Sequence, residues 1–432
     1  MVSARRPGNP AAALAVRVAG LTTRLRTHSH QALSLGLPQG DTDARPASRR
    51  PSPGSGPIRA RFLRSGPPPG TPGGTGGRSP GRLLRRHAGG WALIAALAAL
   101  PVYYGVTDLA HGYQVGLAGG QPVIHHDLSK LGFNFAEGLS DGAIWALIAI
   151  GYTLVYGIIE LINFAHGDVF MIGSFTAVGL WGPLGLGLTT SALGLAGGLL
   201  VTLLVTMAVT GSLNVLVERV AYRPLRSAPK LAPLITAVGF SFILQNVGLL
   251  WRGGNQQSVA DLIGAQRVMF TIGGVHILRG YLLAFAVMIP LVALLTWFIG
   301  STRAGRAMRA TAQDPEAARL MGINTNATIS LTFALGGALA GAGGLVYALY
   351  ETNIWYFQGF RAGLLAFTAA VMGGIGNVRG AVLGGLIIGV IQSLSDSRIG
   401  PQWTEAVVFG YLIAIMVLRP KGLLGEETRE AG

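Results

Sequence analysis

The stretch STRAGRAMRATAQDPEAARLMGI, Ser301 to Ile323, decides how the rest of the chain is read, because it is the longest polar interruption in an apolar half. It carries six charges, Arg303, Arg306, Arg309, Asp314, Glu316 and Arg319. At roughly 3 kcal/mol each for insertion near a bilayer centre, burying them in lipid outweighs any neighbouring leucine. The stretch therefore lies in water, between apolar segments that belong in a membrane. Asp314, Pro315 and Glu316 read as N-cap, N1 and N2 of a short helix, and Gly322 as the left-handed residue that ends it. Ala317, Leu320 and Met321 share one face of that helix. So short a helix is marginal alone in water, and an apolar face on it predicts a docking surface for a partner. The alternative is an interfacial loop that packs on its own helix ends.

The composition agrees with this placement. Half of the 432 residues are hydrophobic, 12% are charged and the mean hydropathy is +0.49, which is the balance of a membrane protein. No cysteine is present, so disulfides, thiolate catalysis and Cys-ligated metals are excluded. The net charge of +15 is not a nucleic-acid signal, because most of it sits in residues 1–90, with fifteen arginines against Asp41 and Asp43. Runs such as RPASRRPSPGSGP and GPPPGTPGGTGG hold too many breakers and too little apolar surface to build a core. Residues 1–90 are thus expected to be a disordered tail, suited at most to anionic lipid.

Ten apolar stretches follow, near residues 91–106, 139–159, 169–181, 192–216, 231–251, 281–299, 327–350, 363–375, 381–394 and 406–418. Several fall below the roughly 17 to 25 residues of a straight crossing. The predicted fold class is an all-α integral membrane protein, a polytopic helix bundle of about 8 to 10 transmembrane segments, some short or broken. Arg219, Arg223, Arg226 and Lys230 mark one basic loop, Ser301–Ile323 a second, and Arg419 with Lys421 the C-terminal end. All three belong on the cytoplasmic side, and counting back along the spans puts the N-terminal tail there too. Residues 108–137 and the loop after Trp251 fall outside. Small residues recur at helix-packing spacing in GGALAGAGG (Gly336–Gly344) and GAVLGGLIIG (Gly380–Gly389), although the glycine content of membrane helices produces such pairs without any packing role.

Enzyme readings find no support. The three lysines, Lys130, Lys230 and Lys421, all lie outside any G-x-x-x-x-G-K-[ST] pattern, and H-E-x-x-H and G-x-S-x-G do not occur. No catalytic residue, metal or cofactor is expected in this chain. His125 and His126 beside Asp127 form a weak metal candidate that reads better as a solvated loop. The polar insert INFAHGD, Ile162 to Asp168, is different, because it interrupts two apolar stretches. It reads either as a short turn with Asp168 capping the next helix, or as a broken helix that aims Asn163, His166 and Asp168 into a translocation path.

Taken together, GYTLVYGI (Gly151–Ile158), INFAHGDVFMIG (Ile162–Gly173), VERVAYRPLRS (Val217–Ser227) and AFTAAVMGGIGNVRGA (Ala366–Ala381) resemble the shorter permease subunits of bacterial branched-chain amino acid ABC importers. EAARLMG, Glu316 to Gly322, is similar to the EAA-x-x-x-G loop through which such permeases engage their ATPase, although ISLT (Ile329–Thr332) lacks the proline of that family's I-x-L-P ending. The resemblance runs from about Phe133 to Gly425. It implies a permease domain over residues 133–425 with a coupling loop at 301–325, preceded by an additional helix and external linker at 91–132 and followed by a short tail at 426–432. It implies coupling through Arg309, Asp314, Glu316, Ala317, Ala318, Leu320, Met321 and Gly322. The implied partners are a second, longer permease, two ATP-binding subunits and an extracytoplasmic solute-binding protein, in the bacterial inner membrane. Importers of urea or short amides resemble the same pattern. From the residues alone, an ion-gradient-driven transporter using His166 and Asp168, or a membrane scaffold, also stands open.

Overall fold

The computed structural model describes residues 80–118, 121–187, 190–229 and 231–425. Residues 1–79 of the expected 1–90 tail, the C-terminal tail at 426–432 and Lys230 lie outside the described residues, and residues 80–90 of that tail are helical. The first helix, α1 (Pro80–His111), begins well before the expected boundary at residue 91. Pro80 suits a first helical position, where its missing N–H leaves no hydrogen bond unmade. A hairpin of β1 (Tyr113–Ala118) and β2 (Gln121–His125) leads to α2 (Ser129–Ile159), then α3 (His166–Trp181), α4 (Ala192–Val217) and α5 (Leu231–Arg252). Strand β3 (Gln257–Ser258) and a second hairpin, β4 (Val268–Ile272) with β5 (Val275–Leu278), precede α6 (Arg279–Ser301). The polar stretch forms α7 (Arg303–Gln313) and α8 (Pro315–Leu320). After it come α9 (Thr325–Glu351), β6 (Asn353–Ile354), α10 (Gln358–Gly373), α11 (Val378–Arg398) and α12 (Thr404–Leu418), with β6 paired to β3. An all-α expectation thus misses three short antiparallel pairings.

Among the described residues eight helices are long and apolar enough to cross a membrane. The stretches near 169–181 and 363–375 are not among them. They belong to α3 and α10, 16 residues each, or about 24 Å of helix, which falls short of a 30 Å hydrocarbon core.

Burial separates the centre from the rim. The most apolar windows of α2 and α9 are 78% and 72% buried, whereas those of α4 and α6 are 11% and 17% buried and turn their aliphatic faces outward. On α4 the usual amphipathic pattern is inverted. Thr202, Thr206, Thr210 and Asn214, spaced four apart, are fully buried, and Leu200, Leu204 and Leu216 are exposed. Lipid is as apolar as leucine, so helices associate through small and polar residues instead.

The order long helix, break, 16-residue helix, long helix occurs twice, in α2–α3–α4 and in α9–α10–α11. The packing repeats as well. Helix α2 runs antiparallel to α11 along Gly138 and Gly142 against Gly385 and Gly389, and α4 runs antiparallel to α9 along Thr206 and Thr210 against Gly337 and Gly341. The glycine-rich runs noted in the sequence are these two seams. The short helices α3 and α10 meet at their N-termini, where a Cβ on Gly167 would lie 2.3 Å from the Gly359 carbonyl oxygen and 2.6 Å from the Gly363 Cα. Two helices whose first turns touch in this way divide the bundle into an upper and a lower half.

Candidate functional site

Three regions carry the polar residues singled out above. The first is the water-facing end formed by α7 and α8. Thr302 caps α7 by accepting from the Gly305 N–H at 3.0 Å. Asp314 caps α8, accepting from the N–H groups of Glu316 (2.8 Å) and Ala317 (2.9 Å). The helix ends as the sequence predicts. Gly322 has φ +81°, its N–H reaches the Arg319 carbonyl, and the Ile323 N–H reaches the Ala318 carbonyl, both at 3.0 Å. These are the two bonds of a Schellman ending. Ala318 is buried and anchors α8 to its own chain, and Arg319 Nε donates to Thr325 Oγ1 at 3.1 Å. Glu316 and Ala317 are exposed, and Leu320 and Met321 stand 89% and 82% exposed beside them. Arg309 has a local task. Its guanidinium donates to the Ile299 carbonyl and lies 3.5 Å from that of Gly300, covering orphan carbonyls at the end of α6.

Next to this end the helix after α4 widens into a π-turn, Glu218–Tyr222, and then tightens into a 3-10 turn, Arg223–Leu225. Burial and its neighbours set Arg226 here. It pairs with the buried Glu218 and donates to Asn326 Oδ1 at 2.7 Å, and Ser330 Oγ donates to the other Glu218 oxygen at 2.7 Å. The first basic loop and the start of α9 are thereby tied together at one end of the bundle. Nothing local in the sequence announces this lock, since its members lie about a hundred residues apart.

The second region is the break after α2. Glu160 takes the left-handed conformation (φ 52°, ψ 29°) and ends the helix, and α3 restarts at His166 with Ala165, not Asp168, at the N-cap position. Asp168 instead lies in the first turn of α3, fully buried. Its Oδ2 accepts from Ser241 Oγ of α5 at 2.5 Å, and Gln245 Nε2 donates to that hydroxyl at 3.0 Å. A partner 73 residues away, not the helix's own N–H groups, holds this carboxylate. Asn163 donates to Asn214 Oδ1 (3.2 Å) and accepts from Tyr222 Oη (3.3 Å), and Asn214 continues to the Phe333 carbonyl (2.7 Å). The His166 ring sits edge-on to Tyr152, centroids 4.8 Å apart, near the Ile148 backbone, with no hydrogen bond of normal geometry from either nitrogen. It fits only because Gly151 has no side chain, a Cβ there falling 2.2 Å from Nε2. Gly151 is eight residues before the end of α2, so this imidazole lies about 12 Å inside the bundle. Next to the break is a cleft of about 10 Å³ under Tyr152, Tyr156, Ile162 and Phe367.

The third region is the break after α9, where Thr352 repeats the left-handed conformation (φ 52°, ψ 17°). Here a cavity of about 560 Å³ opens between α2, α9, α10 and α11. Glu137 and Asp141 of α2, Glu351 of α9 and Asp396 of α11 line it, together with Trp145, Tyr347, Gln358 and Arg361. Ser393 Oγ donates to Glu137 Oε2 at 2.8 Å, Thr404 Oγ1 donates to Asp396, and Trp145 Nε1 donates to Gln392 Oε1 at 2.7 Å. Sequence reasoning passed over this site. Its signal is a set of carboxylates at the ends of three apolar stretches, Glu137 and Asp141 in α2, Glu351 in α9 and Asp396 in α11.

The metal candidate resolves differently. The Tyr113 hydroxyl donates to Asp127 Oδ1 at 2.7 Å and the Ser129 N–H at 3.0 Å, and these bonds hold the carboxyl below the usual carboxylate range. Asp127 therefore starts α2 and closes the first hairpin. Among the described residues no group of three or more His, Cys, Asp or Glu is placed to hold a metal ion.

The family described as branched-chain amino acid transport system, permease component, matches residues 134–417. The chain is 42% identical over 314 residues to the high-affinity branched-chain amino acid transport system permease protein BraD of Pseudomonas aeruginosa, covering 72% of this chain and 99% of that protein. It is 40% identical over 297 residues to the corresponding LivH of Escherichia coli K12, covering 68% and 95%. A probable branched-chain amino acid permease of Methanocaldococcus jannaschii is 28% identical over 300 residues, covering 66% and 89%. Helix α1 precedes the matched residues.

Proposed function

This chain belongs to the family of branched-chain amino acid transport permease components, and from that premise we propose that it is the multi-pass permease subunit of an ATP-driven importer of leucine, isoleucine and valine. The observation that carries the substrate is the identity of 40–42% to relatives named for branched-chain amino acid transport, over almost their whole length. ATP is hydrolysed on separate chains, since this one has no phosphate-binding loop. Two such subunits, a second and longer permease and an extracytoplasmic solute-binding protein complete the importer in the bacterial inner membrane. By the positive-inside rule the arginine-rich end that holds Arg223, Arg303, Arg306 and Arg419 faces the cytoplasm, and the proposal puts both termini on that side. Exposed Leu320 and Met321, with Glu316 and Ala317 on a helix held from behind by Ala318, Asp314 and Gly322, supply the ATPase contact. Asn163, His166 and Asp168 form the closed inner end of the path, a role that intact uptake by His166→Ala at normal expression would remove.

The test is affinity purification of the tagged chain from its native membrane in mild detergent. An ATPase with a phosphate-binding loop should come with it, and Gly322→Val together with Glu316→Ala should lose that ATPase while the permease stays monodisperse. Valine cannot adopt the left-handed φ of Gly322 without strain, so the change distorts the end of α8 and leaves the bundle alone. A folded permease that never brings an ATPase would overturn the assignment.

A further inference from the structure

The outer cavity has two chemically different linings. Glu137, Asp141, Glu351 and Asp396 line it from α2, α9 and α11. The first turn of α10, a helix whose N-cap residue, Phe357, makes no side-chain capping bond, lines the same cavity. Helix N-termini favour anions. A second observation points the same way. Gln358, the first residue of α10, is 7% exposed and borders the cavity. Its Oε1 accepts from the Trp355 N–H at 2.9 Å, while its Nε2 has no hydrogen-bond partner. A buried amide donor without an acceptor costs about 1–3 kcal/mol, which an arriving carboxylate relieves. Arg361, one turn on, adds a guanidinium loosely paired with Glu405 at 3.4 Å across exposed side chains. The aromatic and aliphatic surfaces of Trp145, Tyr347 and Leu365 line it as well.

We propose that this cavity is a transit subsite for a free amino acid in its zwitterionic form. The ammonium faces the carboxylates of α2 and α9, the α-carboxylate faces Gln358 Nε2 and the first turn of α10, and an aliphatic side chain lies against Trp145 and Tyr347. The assignment rests on the reading of the chain as a branched-chain amino acid permease and adds where, and by which end, the substrate is held. Neither a neutral amide nor a simple cation matches both.

The chain has no cysteine, so Ser397→Cys at the cavity mouth gives a single reactive thiol for methanethiosulfonate reagents, read on the tagged chain in membrane vesicles containing the whole importer. A cationic reagent should label it about tenfold faster than an anionic one of similar size, as a carboxylate-lined cleft concentrates cations. Leucine should protect it, whereas 3-methylbutylamine and 4-methylpentanoate, each lacking one charged end, should not. Equal labelling rates, no protection by leucine, or equal protection by either single-ended analogue would overturn the subsite. Gln358→Glu keeps an acceptor for the Trp355 N–H, removes the donor and adds a negative charge where the α-carboxylate would sit. It should lower the maximal leucine uptake rate at least tenfold with the ATPase still bound, and an unchanged rate would count against the proposal. Uptake by the unaltered importer separates the two layers of the argument. Leucine uptake without protection removes the subsite alone, and urea uptake without leucine uptake removes the amino acid reading and the subsite with it.

Discussion

The breaks after α2 and α9 start from the same local geometry and end differently. Each follows a long central helix through one residue in the left-handed conformation, Glu160 or Thr352, and each leads into a 16-residue helix. At the inner break, side chains from α4, α5 and the π-turn fill the gap and bond to one another through Asn163, Asn214 and Tyr222 on one side and Asp168, Ser241 and Gln245 on the other, with one Asp168 oxygen left over. About 10 Å³ is left. At the outer break the surrounding helices contribute carboxylates that do not close on each other, and about 560 Å³ stays open. Breaking a helix inside a membrane frees backbone groups and makes room for polar atoms. Whether that room becomes a locked joint or a site depends on the side chains that neighbouring helices bring to it.

The largest effect should come from the contact both breaks share. Gly167→Val puts side-chain atoms into the Gly359–Gly363 backbone, where no flexible side chain can give way, and overpacking of this kind costs about 3 kcal/mol or more. Size-exclusion profiles in detergent should show loss of the monodisperse protein, and a folded Gly167→Val variant would mean that the two breaks are not coupled through this crossing. Next comes the outer wall. Arg398 of α11 donates to both Asp108 oxygens, at 2.6 and 2.5 Å, and stacks 5.2 Å over the Tyr104 ring, which fastens α1 to the core. Asp108→Ala leaves a largely buried guanidinium unpaired, at about 3 kcal/mol, and should lower the thermal midpoint more than Asp108→Asn does. A smaller loss, about 2 kcal/mol, is expected for Asn214→Leu, which strands Asn163 and the Phe333 carbonyl. Its outer counterpart, Gln358→Leu, should cost about 1 kcal/mol, because it gives up the bond from the Trp355 N–H and a donor that bonds to nothing in the protein. Equal destabilisation by this pair would erase the distinction between a locked joint and an open site.

What the sequence shows of this arrangement follows from range. Asp314 and Gly322 were readable because cap and terminator act on N–H and carbonyl groups within four residues. Leu320 and Met321 were readable because water on one side makes an apolar residue conspicuous. Asp168 was misplaced as a cap because Ser241, 73 residues on, competes for the same carboxylate. The stripe of Thr202, Thr206, Thr210 and Asn214 reads as solvent-facing by the rules of soluble helices, and lipid reverses that rule. The four cavity carboxylates lie on three helices, so each is an isolated oddity until the fold gathers them. Helices α3 and α10 read as two more apolar stretches, since nothing in their composition shows that their N-termini meet midway.

The finest test of the comparison uses the two left-handed residues themselves. An L-residue held there costs about 1–2 kcal/mol, and a β-branched one sits worse than an unbranched one. Glycine removes that strain, but it loses roughly 0.5–1 kcal/mol more backbone entropy on folding. Thr352→Gly should therefore gain about 0.5 kcal/mol, seen as a small rise in thermal midpoint, while Glu160→Gly should gain nothing, because glutamate is unbranched at Cβ and its removal also takes away the interaction its residue makes. The Thr352 carbonyl, which accepts from the Val259 N–H at 2.8 Å, is kept in either case. If Thr352→Gly instead destabilises the protein, the left-handed turn at the cavity rim is held by the threonine side chain and not merely tolerated. The outer break would then be as locally determined as the inner one, and the open cavity would follow from the turn and not from the helices around it.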